Sequence, residues 1–294
     1  MQKPLLFIVN PRAGRTRSTA PLFEAVARFS EAGYLVSVRT TASRGDATRF
    51  VIEQGEQFDR IVCYGGDGTL NEVVAGIMRL ENPPPIGYIP GGSTNDFAAS
   101  LHLVDSPPQA AQRINLSEGK LLDVGSFNDR PFVYVASFGA FTRASYSAPQ
   151  NIKNELGHLA YLLQGVKDLS TLRPYRACIT TDDDVFDGEF LFGSITNATS
   201  VGGLMKLQEG QVVFDDGLFE MILIPTPKTP MELQSLVRSL LTQDYSGTGV
   251  IFRHISQLLL QTPEVFPWAL DGEYEAGGEM VAIRNIPRRL NFLL

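Results

Sequence analysis

Histidine and cysteine are scarce in this chain, three and two among 294 residues, and that supply argues against a zinc site. Cys63 and Cys178 sit inside strand-like runs, which suits buried thiols in a reducing compartment better than a disulfide. Basic charge is short as well: 25 Lys and Arg face 32 Asp and Glu, for a net charge of −7. An acidic chain excludes nucleic acid as the main partner, because neutralising a phosphate backbone takes a basic surface. No run approaches the roughly 18 apolar residues of a membrane span. The opening stretch "MQKPLLFIVNPRAG" is too quickly interrupted to read as a signal peptide. A soluble cytoplasmic protein is the expectation. One small basic cluster remains, Arg12, Arg15 and Arg17. It fits either a contact to one anionic group or lipid headgroup, or a solvated loop.

What is present is ordinary globular material, 44% hydrophobic and 19% charged, long enough for two domains. Over the first 120 or so residues apolar strands alternate with amphipathic helices. "LLFIVN" leads to "APLFEAVARFSEAG", "YLVSVRTT" to "GDATRFVIEQG", "DRIVCYGG" to "TLNEVVAGIMRL", and "IGYIPGG" to "TNDFAASLHL". That rhythm implies βαβ units on a parallel sheet, where ligands bind beyond the carboxyl ends of strands. From about Leu121 the rhythm changes to successive strands joined by turns, with one long helical stretch over Asn154–Ser170 and a second helix near "PMELQSLVRSLL". An antiparallel sandwich or barrel follows from that pattern. The fold class is therefore α/β plus all-β: a Rossmann-like domain over residues 1–124, to which 284–294 can return, and a β-rich domain over 125–283.

The segment "GGDGTLNEV" stands between a strand and a helix. It fails the Walker A template for want of a lysine, and fails G-x-G-x-x-G because Asn71 stands at the third glycine. There remains a tight turn whose amides and helix N-terminus could hold phosphate. Asp67 in its middle makes sense if a divalent cation lies between it and the phosphate. A ligand-free helix-capping turn is the plain alternative, though a turn alone does not require three glycines around one acid.

This motif resembles the signature of the diacylglycerol kinase catalytic-domain family, which includes sphingosine kinases and bacterial lipid kinases. Further segments resemble the family's landmarks in order: "NPRAG" (10–14), "PGGSTNDFA" (90–98), "LDVGSF" (122–127), "DDGLFE" (215–220) and "LDGE" (270–273). The length is similar to that of compact bacterial members without regulatory domains. The resemblance implies a nucleotide-binding α/β domain followed by a β-sandwich. It implies that Gly65, Gly66, Asp67, Gly68, Thr69 and Asn71 bind the ATP phosphates, with Asn10 and Thr41 lining the same cleft. Thr41 also reads as a plain strand residue. Ser93 stands where the family usually has threonine, and its hydroxyl can make the same phosphate hydrogen bond.

The resemblance further implies that Asp67, Asp96 and Asp123 organise water around ATP-bound Mg²⁺. Asp96 reads equally as an acid favouring a helix start, whereas a strand disfavours Asp123 without cause. A structural Mg²⁺ is implied at the Asp216 carboxylate with the carbonyls of Val213 and Leu218, although Asp-Gly there is also a hairpin signal. Asp271-Gly272 is a second such turn. The family places its general base at the following glutamate, Glu273, and a glutamate from the second domain facing ATP on the first would explain the need for two domains. The lone Trp268 reads as packing rather than lipid contact. Phe138, Phe141 and Leu163 cannot be sorted into core and pocket lining by pattern.

The expected activity is transfer of the γ-phosphate of Mg-ATP to a diacylglycerol-like hydroxyl, giving phosphatidic acid. Such an enzyme docks peripherally at a bilayer, with Arg15, Lys153 and Lys167 as candidate contacts. Another lipid alcohol as acceptor, an NAD kinase-like enzyme and a non-catalytic nucleotide-binding regulator are the alternatives. Monomer and homodimer both stay open.

Overall fold

In a computed structural model of the chain, residues 3–14, 19–92, 95–103, 106–139, 172–201, 205–207, 210–242, 244–245 and 249–294 are described. The chain divides into two compact units, Met1–Val124 with Pro287–Leu294, and Gly125–Ile286.

The first unit alternates β1 (Lys3–Val9), α1 (Ala20–Glu31), β2 (Tyr34–Thr40), α2 (Asp46–Gln54), β3 (Arg60–Gly65), α3 (Asp67–Ile77) and β4 (Ile86–Pro90). Two further helices, α4 (Asp96–Ser100) and α5 (Pro107–Leu116), precede β5 (Lys120–Phe127). Only the first of these was expected, because α5 opens on Pro107-Pro108 and carries four polar residues, Gln109, Gln112, Arg113 and Asn115, beside its core-facing alanines. Its capping box, Ser106 with Gln109, supplies the start signal.

β1 pairs in parallel with both β2 and β3, and β3 with β4. β1, β3 and β4 are apolar and buried almost throughout, reflecting burial on both faces, whereas the edge strand β2 is mostly exposed or half-buried. Residues 287–292 add a fifth parallel position, Phe292 opposite Ile86. The order β2-β1-β3-β4 places the topological switch between β1 and β3. The crevice beyond their carboxyl ends is where open α/β sheets take ligands. On one face Phe7 and Phe29 meet edge to face at 5.9 Å, within a cluster that includes Ala110, Ala111 and Ile114 of α5.

The second unit is antiparallel throughout its described pairings. Its strands are β6 (Arg130–Phe132), β7 (Val135–Gly139), β8 (Tyr175–Thr181), β9 (Val185–Thr196), β10 (Ser200–Val201), β11 (Met205–Lys206) and β12 (Phe219–Pro225). After α6 (Pro230–Thr242) follow β13 (Ile251–Ile255), β14 (Gln257–Gln261), β15 (Trp268–Leu270), β16 (Glu273–Glu275) and β17 (Met280–Phe292). The long β9 serves both layers: its first half pairs with β8, its second half with β7 and β12. Between the layers lies an aromatic core of Phe127, Phe138, Phe266 and Trp268. Trp268 is fully buried there, so its role is packing.

The expected helix over 154–170 lies outside the described residues, as do Arg15, Arg17, Ser93, Phe141, Lys153, Leu163 and Lys167. Two expectations need correction. Asp216-Gly217 is a turn but not a hairpin, because β12 pairs with β9 and β13 rather than with the chain just before it. Cys63 is fully buried, its thiol pushed up to about 12 by burial, but Cys178 is only partly buried.

Candidate active site

β3 ends at Gly65, the chain turns at Gly66, and α3 begins with Asp67. The Gly66 carbonyl accepts the Thr69 and Leu70 amides at 2.9 and 3.2 Å, closing the first helical turn on the glycine. A side chain at Gly65 would fall on that of Thr69. The turn after β4 backs onto this one. Gly91 N donates to Gly65 O at 2.7 Å, and a Cβ on Gly92 would lie 2.6 Å from Gly66 Cα. Asn95 locks the second turn: its Oδ1 accepts the Gly92 amide at 2.9 Å and its Nδ2 donates to the Gly92 carbonyl at 2.8 Å. The fully buried Tyr88 hydroxyl lies 3.1 Å from Gly65 O and 3.2 Å from Asn95 Oδ1, joining the two turns from beneath. Burial drives this phenol far above its usual range and the Asp67 and Asp96 charges add to the effect, so it stays a donor.

Asn10, Asp67, Gly68, Thr69 and Asp96 lie on or beside the two turns. Asn10, immediately after β1, donates from Nδ2 to the Thr69 hydroxyl at 3.1 Å. Thr41, immediately after β2, donates its amide to Val9 O at 3.0 Å, which puts it beside the end of β1. Asp67 Oδ2 accepts the Asp96 amide at 3.0 Å, so the acid of the first glycine turn also starts α4. Gly68 lies in the first turn of α3, and Thr69 and Asn71 are buried behind it. Asp123 is buried in β5 and its Oδ1 accepts the Arg288 amide at 2.8 Å, tying the returning segment to this strand.

Glu72 is a residue the motif contains but local reasoning could not assign. Its two carboxylate oxygens accept the Gly45 and Ala47 amides at 2.8 and 3.2 Å, 27 and 25 residues upstream. Asp46 in turn accepts the Ala42 and Ser43 amides, which hold its carboxyl far below the usual range. The loop following Thr41 is thereby pinned to the glycine-loop helix. No spacing rule could have found a partner so distant in sequence.

In the second unit, β15 and β16 form a hairpin whose turn, Asp271-Gly272, has φ of +49° and +80°. The turn expectation for this pair is met, but Asp271 does more. Its buried carboxylate accepts the amides of Val133, Tyr134 and Val135 at 2.7, 2.9 and 3.0 Å. Glu273 begins β16 and accepts a 2.9 Å hydrogen bond from the Arg130 guanidinium, which also pairs with Glu275.

In the 213–218 loop, Asp216 Oδ1 accepts the Leu218 amide at 3.0 Å, and the Leu218 carbonyl accepts Asn285 Nδ2 at 3.1 Å. One carboxylate with main-chain carbonyls is a donor set for a hard cation, completed by water. Among the described residues no group of three or more His, Cys, Asp or Glu is arranged to hold a metal. Beside the loop, Glu220 is buried and one of its oxygens has no hydrogen-bond partner. Burial first, then the Asp216 charge, pushes its carboxyl up to about 8.

These features amount to backbone amides and helix N-termini gathered at the switch point, with acids among them, which can hold a phosphate chain and its cation. The residues fit Mg²⁺ by donor chemistry: Asp67 and Asp96 present hard oxygens beside the amide-lined turn. No helix among the described residues is long and apolar enough to cross a membrane.

Comparison with known proteins agrees. The model of the family described as the diacylglycerol kinase catalytic domain matches residues 4–127. A diacylglycerol kinase of Bacillus subtilis is 33% identical over 269 residues, covering 91% of this chain and 88% of that protein. One from Staphylococcus aureus is 30% identical over 294 residues, covering 99% and 92%. Among solved structures, a diacylglycerol kinase from Bacillus anthracis superposes with a TM-score of 0.76 at 23% identity, covering 99% of this chain and 96% of that one.

Proposed function

This chain belongs to the diacylglycerol kinase family, and from that premise we propose that it transfers the γ-phosphate of ATP to the hydroxyl of a diacylglycerol-like lipid, giving phosphatidic acid. The observation that carries the reading is the pair of interlocked glycine turns at the β1/β3 switch point, with Asp67 at the mouth of α3. The backbone amides at Gly66–Gly68, at the start of α3, bind the phosphate oxygens, and Asn10 orients Thr69 toward them. Thr41 lines the nucleotide side. Gly68 keeps the first turn of α3 open to the phosphates, and Asn71, buried beneath it, stiffens that turn. Ser93 supplies a hydroxyl to the phosphates.

Asp67, Asp96 and Asp123 would hold a Mg²⁺ ion through oxygen and water, and a bound Mg²⁺ would neutralise the charge that develops on the phosphoryl group. The carboxylate of Glu273 orients the acceptor hydroxyl and takes its proton. Val213 O, Asp216 and Leu218 O would hold a second, structural cation. The enzyme meets its lipid by peripheral contact with a bilayer surface.

The test is a phosphotransfer assay with γ-labelled ATP and Mg²⁺ over diacylglycerol, monoacylglycerol, a sphingoid base, ceramide, a prenol and NAD. Label should appear in phosphatidic acid at the highest rate. Label in NAD alone, or ATP binding with transfer to no acceptor, would overturn the proposal.

A further inference from the structure

We propose that Arg130 positions Glu273 for phosphotransfer and that Glu275 is the second support of Arg130. The inference rests on the reading of Glu273 as the group that takes the acceptor's proton.

Arg130 opens β6 directly after the left-handed pair Asn128-Asp129, φ +44° and +71°. That turn is held in place: Asn128 N donates to Ala282 O at 2.9 Å, and Asn128 Oδ1 accepts the Ala282 amide at 2.8 Å. The backbone beneath the guanidinium is therefore fixed. Glu273 and Glu275 are two residues apart on β16, so they face the same side of the strand. One guanidinium nitrogen donates to Glu273 Oε2 at 2.9 Å and another pairs with Glu275 Oε2. All three side chains are partly accessible, 32%, 27% and 27% exposed, as a group that meets substrate must be.

One cation thus serves two carboxylates. The guanidinium fork is thereby shared between two carboxylates on one face of β16. The arrangement makes sense across a reaction in which one carboxylate changes its charge. Before transfer the planar guanidinium fixes the Glu273 rotamer. During transfer the acceptor oxygen forms its bond to the γ-phosphorus as its proton passes to Glu273. The bond from γ-phosphorus to the bridging oxygen breaks, and its electron pair leaves with ADP. Glu273 is then neutral, and Glu275 keeps Arg130 paired and in place until the proton departs to solvent.

Steady-state kinetics of the full chain with Mg-ATP and a short-chain diacylglycerol test this with R130M, R130K, E275Q and E273A. R130M should lose about 10²-fold in kcat with the KM for ATP changed by less than about two-fold, the signature of misplacement at the reacting group. R130K, which keeps the charge but not the fork, should recover about ten-fold of that loss, and E275Q should fall between R130K and wild type. Thermal unfolding close to wild type in R130K and E275Q keeps the comparison valid if R130M folds poorly. A kcat for R130M near wild type beside an inactive E273A overturns the role of Arg130. So does a loss that tracks unfolding and that R130K does not relieve. A turnover of E273A near wild type overturns the reading of Glu273 and this proposal with it.

Discussion

At the residue scale, Asp271 carries more than a turn position asks of it. Its carboxylate satisfies three consecutive buried amides on the segment leading into β7, and its own amide returns a bond to Val135 O at 2.9 Å. It also accepts a left-handed backbone, which Asp tolerates better than most residues. Truncation to alanine strands those donors in a buried site. Since each unsatisfied buried group costs roughly 1–3 kcal/mol and the costs do not add fully, D271A should lose about 3 kcal/mol of stability. Denaturant unfolding of D271A against wild type measures it, and a change below about 1 kcal/mol would show that solvent or a rearranged turn replaces the clamp. Glu273 stands two positions along, so D271A should also lower turnover through the position of β16.

At the element scale, the two glycine turns work as one object, because a side chain on Gly92 has no room against Gly66 and one on Gly66 would press on Gly92 Cα at 3.3 Å. G92A would place a methyl 2.6 Å from Gly66 Cα, where backbone rather than a flexible side chain must give way. The variant should fold, since both turns lie at strand ends, but bind ATP at least about ten-fold more weakly through displaced amides. Isothermal titration with a non-hydrolysable ATP analogue reads this, and wild-type affinity would remove the turn-to-turn contact from the account.

Much of this scale was legible in the sequence. The βαβ rhythm and the glycine, acid and proline punctuation follow from periods and turn chemistry that a short window contains. Three things were not legible, each for the same reason. The clamp of Glu72 on Gly45 and Ala47, the Tyr88 bridge between the turns, and the pairing of Arg130 with Glu273 and Glu275 join residues far apart in the chain. The hairpin expected at Asp216-Gly217 failed similarly. Asp-Gly declares a turn, but which strand receives β12 is decided by sheet packing.

At the scale of the whole molecule, the segment Pro287–Leu294 belongs to the first unit, although 162 residues of the second unit, Gly125–Ile286, precede it in the chain. Phe292 is fully buried and meets Phe97 edge to face at 5.6 Å, while Arg113 donates to Leu293 O at 2.9 Å and Arg289 to Leu80 O at 3.0 Å. Removing a buried Phe and Leu costs roughly 2–5 kcal/mol each, a large share of the stability of a domain this size. A chain lacking residues 287–294 should therefore lose protease resistance first in residues 1–124. Limited proteolysis with mass mapping tests this, and unchanged resistance there would mean that the returning segment is dispensable.

The same return sets an order on synthesis. A ribosome delivers residues 1–124 early, yet the fifth position of their sheet and the amide that Asp123 accepts are supplied only by residues 287–294. The α/β half therefore waits, with one flank of its sheet uncovered, for the full interval in which the β-rich half is translated. At ordinary elongation rates that is roughly ten seconds or more of exposure, long enough for chaperone capture to matter.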